Sequence, residues 1–272
     1  MVDFSNMPVA RSWDELPPAV ADTPRMLVVG SFDASAEARS TRTPGISVLI
    51  PMYQAGAYAA EAIESVLSQP EATELIVVDD GSEDDSAKHA WRALQDAQIP
   101  ATLVLMPHRG QAASRNTALE LARCDWVFYL DADDVLTPGA LASLVAFAAE
   151  HPEAGILSAC CKDFISPELP AEEAAKLQIN PEPYQRMLSG CTLIKHAVYD
   201  LVGPYDESLP SSETAQWMLR AKDAGHEPIY TDAVTMMRRY HLNNFGRRSK
   251  RQQLQSYMQI IRQRRAMRAD AE

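Results

Sequence analysis

Short apolar runs alternate with amphipathic stretches between residues 46 and 150. Residues 46–51, 75–80, 101–106 and 127–130 are nearly continuous in Ile, Leu, Val, Met and Phe. Strands buried on both faces have that pattern. Between them, residues 57–68, 84–98 and 111–122 place apolar side chains at helical spacing. Ala62, Ile63, Val66 and Leu67 share one face of the first, Trp91 and Leu94 turn inward on the second, and Ala118, Leu119 and Ala122 on the third. A fourth helix is predicted with Thr137 as N-cap and Pro138 in its first position, running to about Glu150. Connections of this length predict right-handed crossovers, hence a parallel sheet with helices on both faces.

Parallel strands point their C-terminal ends the same way. Asp79 and Asp80 end the second run; Asp131, Asp133 and Asp134 end the fourth. All five are therefore expected at one rim, where open α/β sheets bind ligands. Clustered carboxylates repel one another unless something positive joins them. A hard divalent cation carrying a phosphate-bearing substrate is one solution. Simply opening the next helix is the bland role for Asp133 or Asp134.

Beyond residue 155 the alternation loosens. Strands are expected at 156–160, 229–230 and 234–240, and helices at 195–201 and 213–224. Residues 167–183 read as a loop with a short acidic helix inside. Prolines punctuate residues 1–44, with one extra strand near Met26. Residues 250–269 predict a basic amphipathic helix with Leu254, Tyr257, Met258 and Ile261 on its apolar face. The expected organisation is an N-terminal extension (1–45), a main domain (46–246, divided at 134/135 into nucleotide-binding and acceptor halves) and a C-terminal helix (247–272).

Of 272 residues, 46% are hydrophobic, enough for a sizeable core. No apolar run has transmembrane length, and no signal peptide pattern opens the chain. The four cysteines lack metal or Cys-x-x-Cys spacing, so reduced thiols in a cytoplasmic protein are expected. The net charge of −12 conceals an asymmetry: residues 238–268 hold ten basic and no acidic residues, and the rest sets 37 acidic against 15 basic. Such a tail predicts an anionic contact, either a membrane surface reached peripherally or the acidic body of its own molecule or of a second copy. A solvated helix face accounts for it equally. No nucleic-acid partner is expected.

Four segments then occur in order: Ser47-Val-Leu-Ile-Pro-Met-Tyr-Gln54, Ile76-Val-Val-Asp-Asp-Gly-Ser82, Gly110 with Ala113-Ser-Arg-Asn116, and Tyr129-Leu-Asp-Ala-Asp-Asp134. The ordered set resembles the nucleotide-binding half of the family 2 glycosyltransferases, which have the GT-A fold, a Rossmann-like, mostly parallel α/β sheet flanked by helices. Gly203-Pro-Tyr-Asp-Glu207 and the stretch from Glu213 to Gly225 resemble the second half. The resemblance implies transfer of a sugar from a UDP- or GDP-linked donor to a glycan, lipid-linked or peptide acceptor, with Mg²⁺ or Mn²⁺. It implies that Pro51 and Tyr53 line the base and ribose, that Asp80 accepts from the base, and that Arg115 lies near the nucleotide. Asp131, Ala132 and Asp133 match the family's Asp-x-Asp, which holds ribose and metal. His241 matches a histidine placed near the diphosphate or metal, and Arg238 and Arg239 are candidates to assist the leaving group.

Two positions depart from the family. Gln54 stands where Asn is usual. Thr214 stands where the family has the Asp that deprotonates the acceptor, and a hydroxyl cannot take a proton at neutral pH. Three outcomes stay open: Glu213 is the base, the acceptor brings its own reactivity, or transfer is lost and the protein is a silent nucleotide- or glycan-binding partner. A nucleotidyltransferase is a weaker rival, because the loop after the first strand, residues 52–57, carries no cation.

Overall fold

The structure is a computed structural model describing residues 7, 9–15, 25–29, 42–185, 190–241, 255–256 and 258–262. β3 (Thr43–Met52), β4 (Ala72–Asp79), β5 (Ala101–Leu105) and β6 (Cys124–Tyr129) pair in parallel in the order β5-β4-β3-β6. The intervening helices are α1 (Tyr58–Leu67), α2 (Ser86–Leu94) and α3 (Gln111–Leu121), close to expectation. Neighbouring strand residues serve opposite cores. Val48, Ile50, Val77 and Phe128 pack with α1, α2 and α4 (Ala140–Glu150), whereas Leu49, Ile76 and Val127 pack with α3 and the later helices.

Outside the parallel centre the sheet is mixed. β1 (Val9–Ala10) pairs with β2 (Arg25–Val29), which runs antiparallel to β5, so part of the N-terminal extension joins the sheet. On the other side β10 (Thr192–Lys195) inserts antiparallel between β6 and β8 (Ile156–Ile165). β11 (Ile229–Tyr240) follows β8 in parallel, and β7 (Val135–Leu136) closes the edge. The two strands expected near 229 and 234 are this single strand, bulged between Tyr230 and Met236. β9 (Tyr184–Gln185) pairs with β8, and α5 (Ala171–Ala174) is the expected short acidic helix. α6 (His196–Val202) and α7 (Glu213–Asp223) cover the second core.

Two local expectations are corrected. Thr137 does not cap α4: its hydroxyl donates to the Val234 carbonyl at 2.6 Å, and the helix begins after Gly139, at φ +73°. Tying β7 to β11 outweighs the capping preference. At the C-terminal helix, Ser256 and Ile260 are the buried residues, while Met258 and Ile261 are exposed. The expected face is thus turned outward at both of its described positions; Leu254 and Tyr257 lie outside the described residues. All four cysteines are buried free thiols.

Gly81 shapes the rim. At φ +76°, a Cβ there would stand 2.7 Å from the His108 backbone nitrogen. Gly81→Ala is expected to cost about 2 kcal/mol through strain and displacement of the 106–110 loop. Urea unfolding of the variant checks this, and a loss below about 0.5 kcal/mol would contradict it.

Candidate active site

The acidic strand ends do lie along one rim, and each carboxylate has its own partners. Asp80, only 2% exposed, accepts the backbone N–H groups of Arg109 at 2.7 Å and Gly110 at 2.8 Å, and meets His108 Nδ1 at 2.8 Å. It therefore shapes the turn into α3. His108 in turn stacks on Tyr53, with ring centroids 4.3 Å apart. Tyr53 is exposed, whereas Pro51 is buried in β3 beside Val78. The flat exposed surface beside Asp80 is thus a Tyr–His pair, and nothing in the sequence pattern marked His108.

Gln54 follows at φ +50° with its N–H on the Ser82 hydroxyl at 2.8 Å. Asn tolerates that left-handed conformation better than Gln does, a physical reason for the family's Asn at this place.

Asp79 faces Ser82, whose hydroxyl donates to it at 2.5 Å and whose N–H donates at 3.2 Å. Burial pushes the Asp79 carboxyl up from 3.8 to about 6 against those two bonds. Between these values the folded protein binds more protons than the unfolded chain, so stability falls as pH rises from about 4 to 6. Asp79→Asn is expected to remove about 2 kcal/mol of that slope, read from unfolding midpoints at pH 4 and pH 6.5. An unchanged slope would contradict the assignment.

Arg115 is the centre of the second cluster. The guanidinium is 3% exposed and lies against the rings of Tyr129 and Tyr205 at 5.6 and 5.7 Å. NH2 donates to Asp131 Oδ1 at 3.0 Å; NH1 donates to the Thr214 hydroxyl and sits 3.4 Å from Glu213 Oε1. Burial alone would lower its pKa, but Glu213 and Asp131 outweigh burial and hold it above the usual value. Burial pushes the Asp131 carboxyl up, and Arg115 pulls it back. One side chain of α3 thereby ties the strand-end carboxylate to the start of α7. Asn116, next on the same helix, anchors the 203–207 turn: it accepts from Tyr205 N–H at 2.8 Å and donates to Glu207 at 3.0 Å.

Asp133 belongs to a third group. Its Oδ2 lies 3.0 Å from His241 Nε2, and its side chain is 31% exposed. Ala132 is buried between the two aspartates. Arg239, expected near a leaving group, is instead buried as a clamp. Nε donates to the Asp133 carbonyl at 2.9 Å, NH1 to Ser166 at 3.2 Å and NH2 to Glu61 at 2.5 Å; its backbone N–H donates to Asp134 at 2.8 Å. Tyr58 and Phe164 sandwich it at 4.7 Å each. Arg238 lies over the Tyr240 ring. Burial holds the Asp134 carboxyl well above its usual range, with the charges of Asp133 and Asp131 adding to the effect. Among the described residues, no three His, Cys, Asp or Glu side chains are grouped to hold a cation unaided.

The chain is similar to known proteins in sequence and in fold. The chain is 39% identical over 102 residues to the succinoglycan biosynthesis protein ExoU of Rhizobium meliloti, covering 37% of this chain and 30% of that one. It spans 30–44% of the length of the first two curated relatives it matches. The fold is similar to TarS 1-349 of S. aureus in complex with UDP-GlcNAc, with TM-score 0.59, 22% identity, and 74% and 60% of the two chains covered. It is also similar to the mannosyltransferase PcManGT from Pyrobaculum calidifontis in complex with GDP-Man and Mn²⁺, with TM-score 0.61, 19% identity, and 85% and 66% covered. The fold is thus the GT-A arrangement expected from the motifs. The glycosyl transferase family 2 model matches residues 47–188, just over half of the chain and both pairs of acidic strand ends, and the chain belongs to that family.

Proposed function

We propose that this chain is a metal-dependent, inverting glycosyltransferase that moves a sugar from a UDP- or GDP-linked donor to an acceptor hydroxyl. The observation that carries the reading is the Arg115 bridge between Asp131 and the Glu213–Thr214 corner. A departing diphosphate and an attacking hydroxyl must meet across one sugar ring, and the bridge links two acidic groups over a gap of that kind. Similar folds holding UDP-GlcNAc and GDP-Man support the donor class.

Asp133 and His241 fit a hard cation. They converge at 3.0 Å, and Asp131 and Asp133 each keep about a third of their side-chain surface open. Mg²⁺ or Mn²⁺ in phosphate chemistry takes one or two protein ligands and fills its shell with water and phosphate oxygens. The cation would neutralise charge on the leaving diphosphate. Tyr53 and His108 offer a flat surface for the base.

In the transfer, the acceptor oxygen attacks the anomeric carbon from the face opposite the phosphate. The bond between that carbon and the phosphate oxygen breaks, and its electron pair leaves with the diphosphate. The acceptor's proton goes to Glu213, a 4% exposed carboxylate oriented by Arg115. Thr214 spends its hydroxyl as an acceptor for Arg115 and takes no proton. Glu213→Gln is expected to lower kcat about 10²-fold while nucleotide affinity stays within about threefold. Unaltered turnover would remove Glu213 from the role. The reading as a whole is tested by calorimetry with UDP and GDP plus Mn²⁺; absence of heat with both would overturn it.

A further inference from the structure

Tyr58, the first residue of α1, meets both side chains that reach the Asp133 turn from the end of β11. Its ring lies 4.8 Å from the ring of His241, tilted at 55°, and 4.7 Å from the guanidinium carbon of Arg239. We propose that Tyr58 is a positioning residue for His241, holding the imidazole against Asp133, and that Glu168 holds Tyr58 in turn. The proposal rests on the glycosyltransferase reading above, in which Asp133 and His241 face the cation.

Conformational freedom is the first argument. His241 stands one place beyond the end of β11. A side chain there can choose among several staggered wells, and Nε2 meets Asp133 Oδ2 at 3.0 Å only while the right one is held. The backbone just before it is fixed, because the Ser166 N–H donates to the Tyr240 carbonyl at 3.0 Å. That bond sets the path of the chain and leaves the plane of the imidazole open. Tyr58 supplies the missing constraint: two rings at this separation and tilt make a favoured aromatic contact. Outer neighbours that orient a ligating histidine are typically worth about 10- to 100-fold in metal affinity.

The hydroxyl is the second. It donates to Glu168 Oε1, the same oxygen that accepts from the Ser166 hydroxyl at 2.6 Å. Ser166 Oγ accepts from Arg239 NH1 at 3.2 Å, and Arg239 returns to the Tyr58 ring. The circuit closes through α1, the turn after β8, and β11. That turn is itself tied, with the Leu169 N–H on the Ser166 carbonyl at 3.1 Å, and it presents Glu168 to the phenol. Glu168 is exposed, so packing does not call for it, whereas orienting a phenol does. A phenylalanine at position 58 would keep the ring and lose this tether.

Calorimetry on the full-length protein tests the proposal, with Mn²⁺ titrated into protein saturated with UDP or GDP. Tyr58→Leu is expected to weaken Mn²⁺ about tenfold while nucleotide affinity without metal stays within about twofold. Tyr58→Phe should weaken Mn²⁺ about threefold. Glu168→Ala should match it, and joining the two should add nothing, because both remove the same bond. In the metal-free protein the ring protons of His241, assigned by their absence in His241→Gln, should shift in Tyr58→Leu and less so in Tyr58→Phe. A ring that only supports the fold would lower the urea midpoint of Tyr58→Leu and leave its Mn²⁺ affinity within about twofold of wild type. That result overturns the proposal, as does an equal loss of metal-free nucleotide binding in the same variant. Should Tyr58→Leu fail to fold, wild-type Mn²⁺ affinity in both Tyr58→Phe and Glu168→Ala overturns it alone. Wild-type protein that binds neither nucleotide would instead overturn the function reading and this proposal with it.

Discussion

Asp133→Ala is expected to lower kcat/KM for sugar transfer about 10³-fold, equivalent to about 4 kcal/mol of transition-state stabilisation. The side chain is partly open, so its loss leaves no large cavity and little folding defect. What disappears is the carboxylate that faces His241 at 3.0 Å. With one oxygen ligand gone, the diphosphate has to leave without its full neutralising charge, a cost met only in the transition state. The same substitution should weaken Mn²⁺-dependent binding of UDP or GDP in calorimetry while leaving the metal-free component intact. Asp133→Glu should recover only part, because the carboxylate then reaches past His241. A variant with wild-type turnover and wild-type metal response would remove Asp133 from the site.

Arg239→Ala is expected to destabilise the fold by about 3 kcal/mol and to lower the thermal midpoint by roughly 6–12 °C. The half-exposed Glu61 contributes little of this, since solvent screens that pair. The larger part comes from the Asp133 carbonyl and the Ser166 hydroxyl losing their donors inside the protein, and from the gap left between Tyr58 and Phe164. Arg239→Lys keeps the charge but cannot serve three acceptors in one plane, so it should recover less than half of the loss. Differential scanning fluorimetry and urea titration read both variants. A loss under about 1 kcal/mol for the alanine variant would show that the clamp is not the support described. Because the clamp holds the Asp133 carbonyl, a loosened variant should also bind the Mn²⁺–nucleotide complex more weakly at temperatures where it remains folded.

These two residues also mark what could be seen from the chain alone. Asp133 was legible because a parallel strand buried on both faces must be apolar, so the first polar residues after it announce the rim. Residues 75–80 and 127–134 obey that logic closely. Arg239 was not legible. Nothing local separates it from Arg238 beside it, and the partners that bury Arg239 come from α1, β8 and the turn after β6, up to 178 positions away. Periodicity reports a residue's own element and is silent about such distant partners. β10 is hidden for a related reason: four residues running directly into a helix offer no period to count. The resemblance implies that Arg115 lies near the nucleotide, but no motif announces its bond to Thr214, since a lone hydroxyl 99 positions away carries no pattern.

His241 closes the account. It stands 108 positions from Asp133 and follows directly on β11, one of the last described strands. During synthesis, the acidic turn after β6 emerges from the ribosome long before the histidine and the arginine clamp that settle it. A contact with so wide a span is slow to form, and the repelling carboxylates wait unsupported in the meantime. The support of the Asp133 turn is therefore a late event in folding, reached only when the chain's last third has threaded back beside β8.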